Sequence, residues 1–221
     1  MSSSRPRTVI RGTLAVVVLA LAPCSESAAI TGQGIGARAG FMFEYDNPKL
    51  DEAYEHTNLE PKDLSMFGGH LTVLSISKVS AEVALEYASR DYRREIFGDA
   101  PGGVDATVVD VNFKVRDFAV YLTGRYKLID GSFGIHLGGG VNFHRFTYGM
   151  DLSPILQWVN DDVQLPKGGW FSGFHALAGV SLGLPALPFR FFGEARIAKI
   201  NVSGKAAQQA TVLAGVTFGA F

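Results

Sequence analysis

Cysteine is all but missing from this chain: Cys24 is the only one in 221 residues. That excludes a disulfide scaffold and any zinc or iron–sulfur centre built on clustered thiolates. Long apolar runs are also scarce. The one present, Thr13 to Ala22, is too short to cross a bilayer as a helix, which needs about 20 residues. Neither sign of charge is in excess, with 20 basic and 21 acidic residues, so the basic stripe that nucleic acid binding requires is lacking. No solenoid repeat and no low-complexity segment occurs.

What the chain does have begins with a secretory signal over residues 1–29. Arg5, Arg7 and Arg11 precede the apolar run, and Ser27-Ala28-Ala29 supplies small residues for cleavage. Leu21-Ala22-Pro23-Cys24 offers lipoprotein processing at Cys24 as the alternative, although Pro23 stands where a small residue is wanted. Cleavage after Ala29 removes Arg5, Arg7, Arg11 and Glu26, leaving 17 basic and 20 acidic residues and a net charge of −3. Residues 30–221 then have the length of one domain.

With no apolar helix left, the remaining way through a membrane is a closed barrel, where every backbone group pairs with a neighbouring strand. The segment FGIHLGGGVNFHRF, Phe133 to Phe146, fits it. Phe133, Ile135, Leu137, Val141 and Phe143 share one face, while Gly134, His136, Gly138, Gly140, Asn142 and His144 share the other. An oily face beside a small, polar one is the pattern of a strand with lipid outside and a narrow wet lumen inside. Similar segments run at Ile35–Tyr45, Phe67–Ile76, Val79–Tyr92, Trp170–Leu184, Phe189–Ile200 and Gln208–Phe221.

Between them lie two apolar faces, one of Val109, Val111, Phe113 and Val115, the other of Phe118, Val120, Leu122 and Tyr126. The parity flips at Arg116-Asp117, which is either a tight turn or a bulge in one long strand. Arg-Asp is a weak hairpin turn, so the bulged strand is expected. The total becomes eight strands, an even number as bacterial single-chain barrels require; ten is the alternative. The fold expected is all-β, a transmembrane antiparallel up-and-down barrel over 30–221. Long links at Asp46–Leu64, Arg93–Val104, Gly149–Gly169 and Asn201–Ala207 alternate with short ones, as outer loops alternate with periplasmic turns.

On these features the chain resembles the small eight-stranded outer-membrane barrels of the OmpA-, OmpX- and OmpW-like group. The resemblance implies an outer membrane of Gram-negative type, contact with membrane lipid and lipopolysaccharide, and insertion by the barrel assembly machinery. It also implies that Phe218 and the terminal Phe221 form the assembly signal. Phe221 departs from the lipid-facing parity of Val212, Val216 and Phe218, so either the strand bulges near Gly219 or Phe221 lies beyond the ladder.

Inward positions hold Arg38, Glu44, Glu82, Glu86, Arg90, Arg125, Lys127, Glu194 and Arg196. Eight strands enclose a space that side chains just fill, and a mixed-sign set pairs within itself, so a salt-bridged plug is expected over a polar pore. Catalytic, metal and cofactor sites are not expected. His136 and His144 stand about 27 Å apart along one strand, too far to share a metal; His70 and His175 are isolated, and His56 lies in an acidic loop. No His-x-Ser pair occurs, which disfavours a lipid-modifying hydrolase.

Arg90, Arg93 and Arg94 cluster with Tyr92 at the expected outer rim, where Arg forks would suit lipopolysaccharide phosphates. Asp46–Leu64 holds six acids and two lysines, the makeup of a solvated loop. Ser153-Pro154 ahead of Ile155, Leu156, Trp158 and Val159 signals a short amphipathic helix. The leading reading is a structural or surface-interaction barrel with a plugged interior and contact loops. A narrow channel is the alternative, since Gly134, Gly138 and Gly140 leave room for one; a lipid-modifying enzyme comes third.

Overall fold

The computed structural model describes residues 34–45, 60–98, 107–151, 167–184 and 187–219, with backbone only at 44–45, 60–64, 92–98, 107–113 and 150–151. They form eight strands: β1 Gly34–Tyr45, β2 Glu60–Ile76, β3 Val79–Gly98, β4 Thr107–Ile129, β5 Phe133–Asp151, β6 Gly169–Gly183, β7 Phe189–Val202 and β8 Lys205–Gly219. Each pairs antiparallel with the next, and β8 closes on β1, from Gly34↔Gly219 to Tyr45↔Gln209. Closure leaves no free edge.

The alternation of the sequence becomes an inside-out surface. Ile35, Phe41, Phe67, Leu85, Leu122, Phe174 and Ile197 are exposed on the outside, while Arg38, Glu82, Glu86, His144, Glu194 and Arg196 are buried within. Water would not sustain that arrangement; lipid does. On β4 the outward apolar residues run from Leu128 to Phe118 and end at exposed Arg116. Ten residues rise about 34 Å along a strand, or about 26 Å along the axis at a tilt of about 40°, which matches the roughly 25 Å apolar band of such barrels. Arg145 on β5 and Lys199 on β7 end the band in the same way. Aromatics mark its two edges, with Tyr126, Phe133, Phe191 and Phe218 at one end and Phe41, Phe67, Phe143 and Trp170 at the other.

The strand count is eight, but β4 differs from expectation. Its register with β3 is unbroken from Val79↔Tyr126 to Gly98↔Thr107, so Arg116-Asp117 is neither turn nor bulge. Val115 faces inward, 2% exposed, because the lumen turns apolar at that end, where Met42, Met66 and Ala88 form a cluster. The parity flip was a change of lining, not of geometry. A register shift does occur on β4, between Lys127 and Ile129.

The link at Asn201–Ala207 is also shorter than expected. β7 and β8 pair through Val202↔Lys205, joined by Ser203-Gly204 alone. Both have positive φ, 56° and 88°, the left-handed pair that a tight hairpin turn uses. The other links at this end span 46–59, 99–106 and 152–168. The start of β1, the end of β8 and the links at 77–78, 130–132 and 184–188 share the opposite end, the one that holds the termini of the barrel. The ladder of β8 is regular to Phe218 against β7 and to Gly219 against β1, with Phe218 outward and 50% exposed. Phe221, the signal region, His56, residues 46–59 of the acidic loop and the Ser153-Pro154 segment lie outside the described residues, while residues 60–64 of that loop belong to β2.

Candidate functional site

The lumen is the only part of the described structure where charged groups are gathered out of solvent, and it is built in tiers. Alternate positions on β1, β3, β4 and β7 send Arg38, Glu82, Glu86, Arg125, Glu194 and Arg196 to the middle of the barrel. Arg38 bridges two carboxylates, tightly to Glu82 Oε1 and at 3.4 Å to Glu86 Oε1. Arg125 bridges Glu82 at 2.9 Å and Glu194 at 2.6 Å. Arg196 grips Glu86 with both nitrogens, at 2.8 and 2.5 Å.

Three guanidinium groups and three carboxylates thus form one chain of contacts across the lumen, Arg196–Glu86–Arg38–Glu82–Arg125–Glu194. Such paired forks are the strong form of the ion pair, and burial without them would be prohibitive. Two rings complete the tier. Arg196 lies 3.7 Å from the Tyr121 ring centre, and Arg38 and Arg125 flank Phe192 at 5.6 and 5.9 Å.

The histidines attach to this tier separately. His136 Nε2 donates to Glu194 Oε1 at 2.9 Å, and His144 Nδ1 donates to Asp117 at 2.9 Å. Asp117 also lies 3.4 Å from Gln209 Nε2. His70 shares a hydrogen bond with Thr217 Oγ1 at 2.8 Å, and His175 shares one with Thr123 Oγ1 at 2.9 Å. Among the described residues no three ligands gather as a metal would need. The hydroxyls bonded to histidines belong to threonines inside the lumen, and neither of those histidines holds an acid. Above Asp117 and His144 the lining becomes mostly apolar, with Val115, Phe146, Ile200 and Val202 all buried and Arg90 the charged residue beside them.

Of the inward glycines read in sequence as open space, Gly134 does line a cavity at one mouth of the barrel, whereas Gly138, Gly140 and the others are crowded by neighbouring backbone and side chains. A Cβ at Gly179 would stand 2.5 Å from His136 Nε2 and 2.7 Å from Glu194 Cγ. One at Gly173 would meet Asn142 Oδ1 at 2.6 Å, and one at Gly138 would meet Gly124 O at 2.9 Å and Leu177 Cδ1 at 3.1 Å. At Gly36, Gly140 and Gly215 the added carbon would run into His70, Leu122 O and the Phe192 ring. Each of these crowded glycines is a socket for a neighbour.

The remaining expected site residues are placed as follows. Lys127 sits at the rim of the end that holds the termini, 3.3 Å from Asp130. The side chain of Glu44 and those of Arg93 and Arg94 lie outside the described residues. Arg90 is not a rim contact: its side chain points into the barrel, 6% exposed, opposite buried Val115 in the β3–β4 ladder. Strand parity decides this, since Arg90 shares a face with Glu82 and Glu86. Besides Lys199, the outward cations at the loop end include Arg116 and Arg145, on adjacent strands two positions apart in register, and Arg145 lies 6.0 Å from the Trp170 ring. Sequence reasoning also passed over Asp117, placed at a bulge, although its odd parity in β4 matches that of Arg125.

No family model matches the sequence, and no curated protein matches it either. Solved structures do share its shape. The outer membrane protein OprG from Pseudomonas aeruginosa is 14% identical, with a TM-score of 0.46 over 86% of this chain and 94% of that one. Neisserial surface protein A is also 14% identical, with a TM-score of 0.46 over 85% and 97%. Ail, the attachment invasion locus protein of Yersinia pestis, is 9% identical, with a TM-score of 0.44 over 85% and 95%. The resemblance is one of fold: an eight-stranded antiparallel sheet closed on itself, as in small outer-membrane barrels.

Proposed function

We propose that this protein is a sealed barrel of a Gram-negative-type outer membrane, acting through its lipid-facing wall and outer rim rather than by conduction or catalysis. The observation that carries this reading is the unbroken chain of contacts from Arg196 to Glu194 across the lumen. A permeant solute would have to part ion pairs that are almost wholly shielded from water, and breaking one such pair costs about 3–5 kcal/mol. The filled glycine sockets support closure over the channel alternative. The lack, among the described residues, of a serine bonded to a histidine supports a non-enzymatic role.

Cysteine accessibility tests it, since cleavage after Ala29 leaves no native thiol. Ser181→Cys, at the end holding the termini, should react with an impermeant maleimide supplied on that side of a proteoliposome only. Thr211→Cys, beside Arg196 in the β7–β8 ladder, should react from neither side. Labelling of either position from both faces would show an open lumen.

A second reading concerns partners. Arg116 and Arg145 stand where the apolar band ends, beside Trp170, and are suited to the phosphates of lipopolysaccharide. They replace Arg90 in that role. Outward Phe218 on the last strand fits an assembly signal read by the barrel assembly machinery.

A further inference from the structure

We propose that the lumen mouth at the terminus end is a binding site for a small oxyanion, a phosphate or a carboxylate. A cavity of about 110 Å³ opens there beneath the ion-pair tier. A water needs about 10–15 Å³ in this measure, so the space holds several waters, or one oxyanion with part of its hydration. The space is therefore large enough for a small ligand.

The chemistry of the wall selects the ligand. Arg125 and His136 reach it from the tier above, and Lys127 and Arg190 stand at the rim. Between them five hydroxyls face inward: Thr72 and Ser75 from β2, Ser80 from β3, Ser181 from β6 and Thr217 from β8. Among the described lining residues none is acidic. Glu82 and Glu194 lie behind Arg125 and are engaged by it. Asp130 is in the turn after β4, with its side chain 44% exposed, 3.3 Å from Lys127 and 3.9 Å from Arg190.

A ligand here meets N–H and O–H donors with positive charge behind them. Ile129, Ile135 and Phe192 complete the wall, but an apolar molecule resting on them would strip water from five hydroxyls without replacing their hydrogen bonds. A cation would face Lys127 and Arg190. An oxyanion can accept from hydroxyls and guanidinium together, and a low-dielectric cleft focuses the field of those cations on it. Gly134 keeps the space open: a Cβ there would stand 2.6 Å from Ser181 Oγ. Arg190 is held in place by donating from Nη2 to Gly131 O at 3.0 Å.

The test is an amide-shift titration of the purified protein refolded in uncharged, phosphate-free detergent. Inorganic phosphate and acetate are titrated at fixed ionic strength against sodium chloride. Saturable shifts at Gly131, Gly134, Ser181 and Thr217 are expected, weakened at least about tenfold in Lys127→Ala/Arg190→Ala, which removes two charged donors. A third arm adds phosphatidylglycerol; saturable shifts in that arm alone assign the oxyanion to a lipid headgroup and still support the site. Should the double variant fail to fold, Gly134→Ala, which sets a carbon 2.6 Å from Ser181 Oγ and narrows the mouth, must weaken the response. Linear shifts equal to those in chloride, or shifts centred on Arg116 and Arg145, would overturn the proposal. The site stands whether or not the lumen above it conducts.

Discussion

Replacing Arg196 with Met removes two hydrogen bonds to Glu86, at 2.8 and 2.5 Å, and the contact with Tyr121 at 3.7 Å. What remains for Glu86 is Arg38 at 3.4 Å, a group already committed to Glu82. The carboxylate stays buried, 3% exposed, with its main partner gone. Leaving one member of a buried pair costs about 3–5 kcal/mol, whereas replacing both by apolar groups of similar volume is often close to neutral. Arg196→Met should therefore lower stability by about 3–5 kcal/mol. Adding Glu86→Leu should bring the double variant to within about 2 kcal/mol of the parent, the residue being the lost Tyr121 contact. Urea titration of the refolded barrel, followed by circular dichroism, reads this directly. With a slope of about 2 kcal/mol/M, the single variant should shift its midpoint by about 1.5–2.5 M. A single variant that loses less than about 1 kcal/mol, or a double variant as unstable as the single, would refute the argument that these charges are locked to one another.

The lipid belt, the sockets and the turn each give a further test. Leu122→Arg places a charge near the middle of the band and should cost about 2–4 kcal/mol in bilayer folding titrations, whereas Arg116→Leu at its edge should change stability by no more than about 1 kcal/mol. Gly179→Leu should displace His136 and Glu194 and cost at least about 1–3 kcal/mol, read as a lowered urea midpoint. At Gly204, with φ at 88°, substitution by Ala should destabilise by about 1 kcal/mol or more, while Ser203→Asn should be tolerated because Asn adopts the left-handed region readily.

Much of the architecture was legible in the sequence because a strand's side-chain period is two and a barrel turns that period into inside and outside. Phe133–Phe146 shows it cleanly: of the lipid-facing residues read there, Phe133, Leu137 and Phe143 are exposed and Ile135 and Val141 are half-buried. The same rule misled at Val115. A membrane barrel need not keep its lumen polar throughout, and here the loop end is lined by Met42, Met66 and Val115, so an apolar run crossed from lining to lipid face without a bulge. Ser203-Gly204 carried a turn signal that a search for a long outer loop passed over.

The site was legible only as a set of residues. Which charges meet depends on how staggered strands bring positions together: Arg38 and Glu82 are 44 residues apart, and Glu86 and Arg196 are 110 apart. Side-chain parity says that all face inward, but pairing requires the register of eight strands at once. The glycines were ambiguous for the same reason. A missing side chain is open space or a socket according to what the facing strand presents, and His136, Asn142 and Phe192 stand opposite.

The central claim is that the Arg196-to-Glu194 chain closes the lumen, and current through the barrel measures it most directly. Single-channel recordings on the refolded protein in planar bilayers should show no steady conductance at moderate voltage. A steady, reproducible, ohmic conductance from the unmodified barrel would contradict it.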